Sequence, residues 1–264
     1  MNLKLIGKTA LVTGSTAGIG LAIAESLVAE GANVVLNGRT RERVEAAVIT
    51  VKAGFPDIRI TGVVADLSTP EGAAKVLDGI SDVDILVNNM GIFEPKPFEQ
   101  IPDEDWLRLF EANVMSGVRL SRFYLPKMKA KNWGRIVFIS SESGVQIPAE
   151  MVHYGMTKSA QIAIARGMAE TTVGTKVTVN SVLPGPTASE GVSTFVEQMA
   201  AEQDISKEQM EKQFFETARP SSLLKRFIEP KEIGDVVAFV CSPLASAING
   251  AAVRADGGVI RSMI

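Results

Sequence analysis

The apolar and polar positions of the chain repeat one unit. Short β-branched runs at residues 9–13, 34–37, 58–65, 85–88, 135–140, 177–183 and 252–255 predict seven strands. Between them, apolar residues recur at helical spacing over residues 19–30, 41–52, 71–78, 104–131, 154–171 and 230–241. Strand and helix in alternation is the pattern of a parallel sheet covered by helices on both faces. The expected fold class is therefore α/β, a single doubly wound domain over residues 1–264. Residues 186–226 break the rhythm as a long, charge-rich helical insertion between the last two strands, too long for a simple connection. Small or polar residues at 188–191 precede an apolar face of Val192, Phe195, Val196 and Met199, so this segment is expected to be a mobile lid over a substrate.

Composition narrows the class. With 264 residues and 46% hydrophobic content the chain can bury one full core. A net charge of −3 offers no positive field for a nucleic-acid backbone, so nucleic acid is not an expected partner. Cys241 is the only cysteine, which excludes an intrachain disulfide and fits a reducing cytoplasm. One histidine, His153, and one cysteine fall short of the set that builds a catalytic zinc site, so no metal is expected. No secretory h-region and no run of eighteen apolar residues occurs, which argues against secretion and against a membrane span.

Directly after the first predicted strand stands Thr13-Gly14-Ser15-Thr16-Ala17-Gly18-Ile19-Gly20, and a helix follows. A sharp strand-to-helix turn needs positions without a Cβ, and it lets backbone N–H groups reach a pyrophosphate at the positive helix end. The spacing is Gly-x-x-x-Gly-x-Gly, not the Gly-x-Gly-x-x-Gly of many dinucleotide folds. It resembles the signature of the short-chain dehydrogenase/reductase family, and is similar to that of 3-oxoacyl-ACP reductase-like members. Further matches follow in family order: Asp66, Asn88-Asn89-Met90-Gly91, Asn113, Ser141, Tyr154 with Lys158, Pro184-Gly185 and Asp256-Gly257-Gly258. Met90 departs from the usual alanine. The resemblance covers nearly the whole chain and implies a Rossmann-type domain, a nicotinamide cofactor, and a homotetramer or homodimer.

At the end of the second strand, where an NAD enzyme carries an acidic residue on the ribose, stands Gly38, followed by Arg39, Thr40 and Arg41. A guanidinium suits a 2′-phosphate, so NADP(H) is favoured over NAD(H). The resemblance further implies that Asp66 and Leu67 meet the adenine, that Asn89 and Gly91 lie along the adenosine ribose, and that Pro184, Gly185 and Thr187 bracket the nicotinamide. With these go Gly14, Ser15, Thr16, Gly18, Ile19 and Gly20 of the loop.

Tyr154 and Lys158, one turn apart on a predicted helix, share a face. A free phenol ionises near pH 10, and a neighbouring ammonium should lower that value toward the working range of acid/base catalysis. Tyr154 is thus expected to transfer a proton while a hydride moves between cofactor and a carbonyl or alcohol carbon. Ser141, just past the strand at 135–140, is placed to hold the reacting oxygen. By resemblance, Lys158 also binds the nicotinamide ribose and Asn113 holds a water linking Lys158 to solvent.

The expected activity is interconversion of a carbonyl and a secondary alcohol. An NAD-dependent alcohol dehydrogenase of the same family and a non-catalytic nicotinamide-redox sensor are the alternatives; retention of Ser141, Tyr154 and Lys158 argues against the sensor. A hydrolase using Ser141 and His153 lacks a Gly-x-Ser-x-Gly elbow, and His153 is expected to be an exposed residue at a helix start. Cys241 is expected to pack rather than react. Ser143, Val145, Gln146, Met151, Val192, Phe195 and Met199 are the candidate substrate-pocket positions.

Overall fold

The computed structural model describes residues 2–263. Seven strands, β1 (Thr9–Val12), β2 (Asn33–Gly38), β3 (Ile60–Val64), β4 (Ile85–Asn88), β5 (Gly134–Ile139), β6 (Val177–Pro184) and β7 (Ala252–Ala255), form one sheet in the order β3-β2-β1-β4-β5-β6-β7. Every pairing is parallel. This is the doubly wound Rossmann-type sheet, and the chain changes direction of winding between β1 and β4. Ligand crevices form at such a switch point, outside the carboxyl ends of the strands.

Successive strand residues point to opposite faces, and each face has its own core. Ala10 and Val12 join a cluster with Ile23 and Leu27 of α1 (Gly18–Ala29), Val51 of α2 (Arg41–Gly54), and Val237 of α9 (Pro230–Cys241). Leu11 points the other way, into a cluster with Val76 of α3 (Pro70–Gly79), Leu120 and Tyr124 of α5 (Ser116–Ala130), and Ala165 of α6 (Val152–Glu170). Cys241 is fully buried in the first cluster, and burial pushes its thiol up to about 12, so it packs. No helix of the described residues is long and apolar enough to cross a membrane.

The structure departs from the sequence-based expectation in two places, the long helix and the third strand, and gives the expected helical insertion its detail. The single helix expected over residues 104–131 is two, α4 (Asp103–Phe110) and α5, joined by a π-helical turn at Glu111–Met115. Such turns recur at functional sites, and this one contains Asn113. The third strand is shorter than 58–65, because the Ile58 N–H closes a turn onto the Phe55 carbonyl (3.3 Å) before the ladder begins. The insertion resolves into α7 (Glu190–Glu202) and α8 (Lys207–Thr217), with a small core of Val196, Met210, Phe215 and Phe227. Its two ends are stitched together by Ala188 N to Ile228 O and Ile228 N to Pro186 O, both 2.8 Å, so it leaves the sheet as a closed excursion.

Candidate active site

The loop after β1 is built around glycine. Gly14 and Gly18 take φ values of 58° and 55°, a region that penalises side chains. A Cβ on Gly20 would lie 2.4 Å from the Gly14 carbonyl oxygen, so the first turn of α1 closes onto the loop only without one. Several expected cofactor residues are committed to holding this loop. Ser15 is buried, its hydroxyl donating to Val12 O (2.7 Å) and accepting from Asn37 N (2.9 Å). Asn89 spends its side-chain amide on the Thr13 and Gly14 carbonyls (2.9 and 3.0 Å). Thr40 caps α2 by accepting from Arg43 N. Asp66 closes a turn by accepting from the Ser68 N–H and hydroxyl (3.0 and 2.7 Å), and Leu67 is fully buried in the second core. Thr16 packs under Gly38, where a Cβ would come within 2.5 Å of its methyl carbon. Of the arginines after β2, Arg41 pairs with Glu45 and Arg43 with Glu190, while exposed Arg39 has no ion-pair or hydrogen-bond partner among the described residues.

At the carboxyl ends of β4, β5 and β6 a cavity of about 400 Å³ opens, lined by Ile19, Asn89 and Gly91 on one side and Ser141, Tyr154 and Lys158 on the other. Pro184, Gly185 and Thr187 form a further wall, with the buried Thr187 hydroxyl turned back onto the Gly185 carbonyl (2.9 Å). Tyr154 and Lys158 lie one turn apart on α6, with Nζ 5.5 Å from the phenol ring centre. Gly91 packs close by, since a Cβ there would stand 3.3 Å from Nζ. The ammonium is buried and donates to Ile139 O (2.9 Å) and to Gln161 Oε1 (3.2 Å). Gln161 in turn donates from Nε2 to the Asn113 carbonyl (2.5 Å), so its side chain bridges Lys158 to the π-helical turn. The Asn113 side chain faces elsewhere, accepting from Ile92 N (2.7 Å) and donating to Thr157 Oγ1 (3.0 Å). Burial lowers the Lys158 pKa to about 8, a shift opposed by the Glu142 carboxylate.

The Tyr154 phenol does not follow the sequence-based expectation of a lowered pKa. Burial first, and then the negative charge of Glu142, hold it well above its ordinary value, against the smaller downward pull of the Ser141 hydrogen bond and Arg219. Glu142, absent from the expected site, accepts through Oε2 from the Ser141 hydroxyl, Ser143 N (2.6 Å) and Ser143 Oγ (2.9 Å), and through Oε1 from Arg219 Nε (2.9 Å). An ionised carboxylate only accepts. Ser141 is therefore the donor in its bond to Glu142, and its oxygen accepts from the Ser143 N–H (3.1 Å).

Arg219 comes from the insertion, 77 residues away in sequence, and also reaches Glu150 Oε1 (3.2 Å). Sequence reasoning missed Glu142, Gln161, Glu150 and Arg219: Glu142 follows Ser141 directly and Gln161 stands three residues after Lys158 on α6, so spacing could have found those two, whereas only folding brings Arg219 to Glu142 and Glu150. Of the candidate pocket positions, Ser143, Met151, Val192 and Met199 line the cavity. Val145 is 49% exposed and Gln146 reaches out to Ser221 Oγ (3.4 Å), so neither belongs to it; the turn after Ser141 rotates them outward. The Phe195 side chain lies outside the described residues. His153 is not exposed as expected but fully buried, its ring edge-on to Trp106 at 5.9 Å, and neither ring nitrogen has a partner among the described residues. Burial lowers its pKa. Among the described residues, no group of three or more His, Cys, Asp or Glu could hold a metal ion.

The fold has relatives among known proteins. Residues 8–218 match the short chain dehydrogenase family model. An uncharacterized oxidoreductase of Bacillus subtilis (strain 168) is 48% identical over 263 residues, covering all of both chains. The D-beta-hydroxybutyrate dehydrogenase of Cupriavidus necator is 35% identical, covering 96% of this chain and 98% of its own. Among solved structures, L-sorbose reductase from Gluconobacter frateurii, complexed with NADPH and L-sorbose, superposes with a TM-score of 0.93 at 30% identity over 100% of each chain. With its parallel sheet, its glycine loop and these relatives, the chain belongs to the short-chain dehydrogenase family and is an oxidoreductase acting on CH–OH groups.

Proposed function

We propose that this chain is an NADP(H)-dependent oxidoreductase that interconverts a carbonyl and a secondary alcohol of a small molecule, with Tyr154 as general acid/base. The observation that carries the reading is one cavity lined at once by the glycine-loop side, the Pro184–Thr187 wall and Ser141, Tyr154 and Lys158. The residues present fit a dinucleotide: a loop that tolerates no Cβ at Gly20, no acidic side chain at Gly38, and next to it the Arg39 guanidinium, which has no partner among the described residues and suits a 2′-phosphate. Gly14, Ser15, Thr16, Gly18, Ile19, Gly20, Arg39, Thr40, Asp66, Leu67, Asn89, Gly91, Tyr154, Lys158, Pro184, Gly185 and Thr187 would hold it, and the bound nicotinamide would supply or accept the hydride. NADPH in the L-sorbose reductase complex supports the choice of NADP(H) over NAD(H).

In reduction the protonated Tyr154 hydroxyl donates to the carbonyl oxygen and gives up its proton as the C–O bond becomes an alkoxide; in oxidation the same oxygen takes the proton back. The raised pKa of the phenol keeps that proton in place before reaction. Lys158, fixed by Ile139 and Gln161, supplies a positive charge that stabilises the phenolate left behind. Ser141 accepts from the hydroxyl of an alcohol and so holds the reacting oxygen on the reverse path. The insertion acts as a lid excluding water, and the enzyme works in the cytoplasm as a homotetramer or homodimer. Apolar side chains exposed on α4 and just before it, Leu107 and Phe98, favour association.

The test is NADPH absorbance over a panel of carbonyl compounds, with Tyr154→Phe beside the parent protein. The variant should keep its fold and NADPH affinity and lose at least about 100-fold in turnover. Near-parental turnover in Tyr154→Phe would remove Tyr154 from the mechanism.

A further inference from the structure

Resting on the proposed activity, we infer that the substrates of this site are carbonyl compounds that are neutral around the reacting group, and that free oxo-acids are rejected. The charged side chains lining the cavity, among the described residues, are Glu142, Glu150, Lys158 and Arg219. Lys158 donates to the Ile139 carbonyl and to Gln161 and, on the proposed activity, serves the cofactor and Tyr154 rather than the substrate. This leaves Arg219 as the cation on the substrate wall, and its charge is already matched twice. Its Nε donates to Glu142 Oε1 at 2.9 Å, its Nη1 to Glu150 Oε1 at 3.2 Å and to the Ala218 carbonyl at 2.8 Å. Around that guanidinium, buried Glu142 and half-exposed Glu150 leave one negative charge in excess.

A substrate carboxylate entering here would lose its hydration without an uncommitted cation to replace it, and would face like charges. Both effects disfavour it. For a carboxylate several ångströms from the excess charge, at an effective dielectric constant of about 20, the repulsion corresponds to roughly a 100-fold loss. The rest of the wall is apolar, formed by Phe93, Met151, Val192, Met199 and Phe214, and suits an uncharged carbon skeleton. In reduction of such a substrate the cofactor's hydride forms the new C–H bond and the Tyr154 proton forms the O–H bond, so the carbonyl is reduced and the cofactor oxidised.

Matched pairs that share a carbonyl and differ in charge test the inference: acetoacetate with ethyl acetoacetate, pyruvate with ethyl pyruvate, and phenylglyoxylate with its methyl ester, each with saturating NADPH. In every pair that turns over, the ester should exceed the acid in kcat/KM by at least about 100-fold. Glu150→Lys, at the mouth of the cavity, should raise the acid-to-ester ratio by at least about 10-fold. A second measurement reads binding without turnover: calorimetry on NADPH-loaded Tyr154→Phe should detect the esters and not the acids. Acids reduced as well as their esters, or bound as tightly, would overturn the inference while leaving the proposed activity standing. No turnover of any pair, with no ester bound, would count against both.

Discussion

Replacing Arg219 by methionine would remove the guanidinium that crosses from the insertion to the catalytic strand end while keeping most of the aliphatic length. In the folded chain both partners of the Arg219–Glu142 bond are buried, with side-chain exposures of 10% and 5%. Breaking such a pair from one side strands the other charge, at a typical cost of about 3–5 kcal/mol. Glu142 keeps its donors from Ser141 and Ser143 in the variant, which places the expected loss near the lower end, about 3 kcal/mol. For a chain of this size each kcal/mol lowers Tm by about 2–4 °C, so a fall of roughly 6–12 °C is expected by calorimetry. The double variant Arg219→Met with Glu142→Gln no longer buries an unmatched charge and should recover at least half of that loss. Coupling of this size is what neighbours sharing one network show. A single variant within about 1 °C of the parent, or two substitutions whose effects simply add, would refute the assignment of Arg219 as the group that neutralises Glu142.

Other consequences follow from the same geometry. Arg39→Ala should weaken NADPH binding much more than NADH binding in fluorescence titrations, because only the former carries the 2′-phosphate; equal losses would show that Arg39 does not read that group. In 13C-lysine NMR one lysine should titrate near 8 and vanish in Lys158→Met, and Gln161→Glu should move it back toward 10.5 by placing a carboxylate at Nζ. Because the folded-state value is below the unfolded one, the unfolded chain binds more protons between about 8 and 10.5. The cost of burying the Lys158 charge is present below about pH 8, and stability should rise with pH across that window, a rise that Lys158→Met should flatten. Hydrogen exchange of residues 188–217 should be fast in the free protein and slowed by NADPH with a substrate analogue; equal protection in both states would make the insertion a fixed structural element.

Whatever rests on short-range spacing was legible along the chain before any folding. All seven strands, the glycine loop and the tyrosine–lysine pair could be read from it, because an apolar run, a missing Cβ or an i,i+4 step acts within a few residues wherever it occurs. Cys241 was placed in the core for the same reason. Tertiary structure decided what depends on which distant groups meet. The π-helical turn at Asn113 interrupts a segment whose local pattern reads as one helix, and there the turn's carbonyl meets Gln161 from α6, 48 residues on. His153 is polar and begins a helix, yet the approach of Trp106 from α4 buries it. The lowered phenol pKa expected from the Tyr154–Lys158 spacing alone was reversed by burial and by Glu142. The charge of the substrate wall was likewise not written in any local motif, since it is the difference between two carboxylates of the catalytic region and one guanidinium that the insertion carries back to them. Spacing fixes which side chains can share a face of one element, but desolvation and Coulomb interactions act through space, and the distances that set them exist only once the chain has folded.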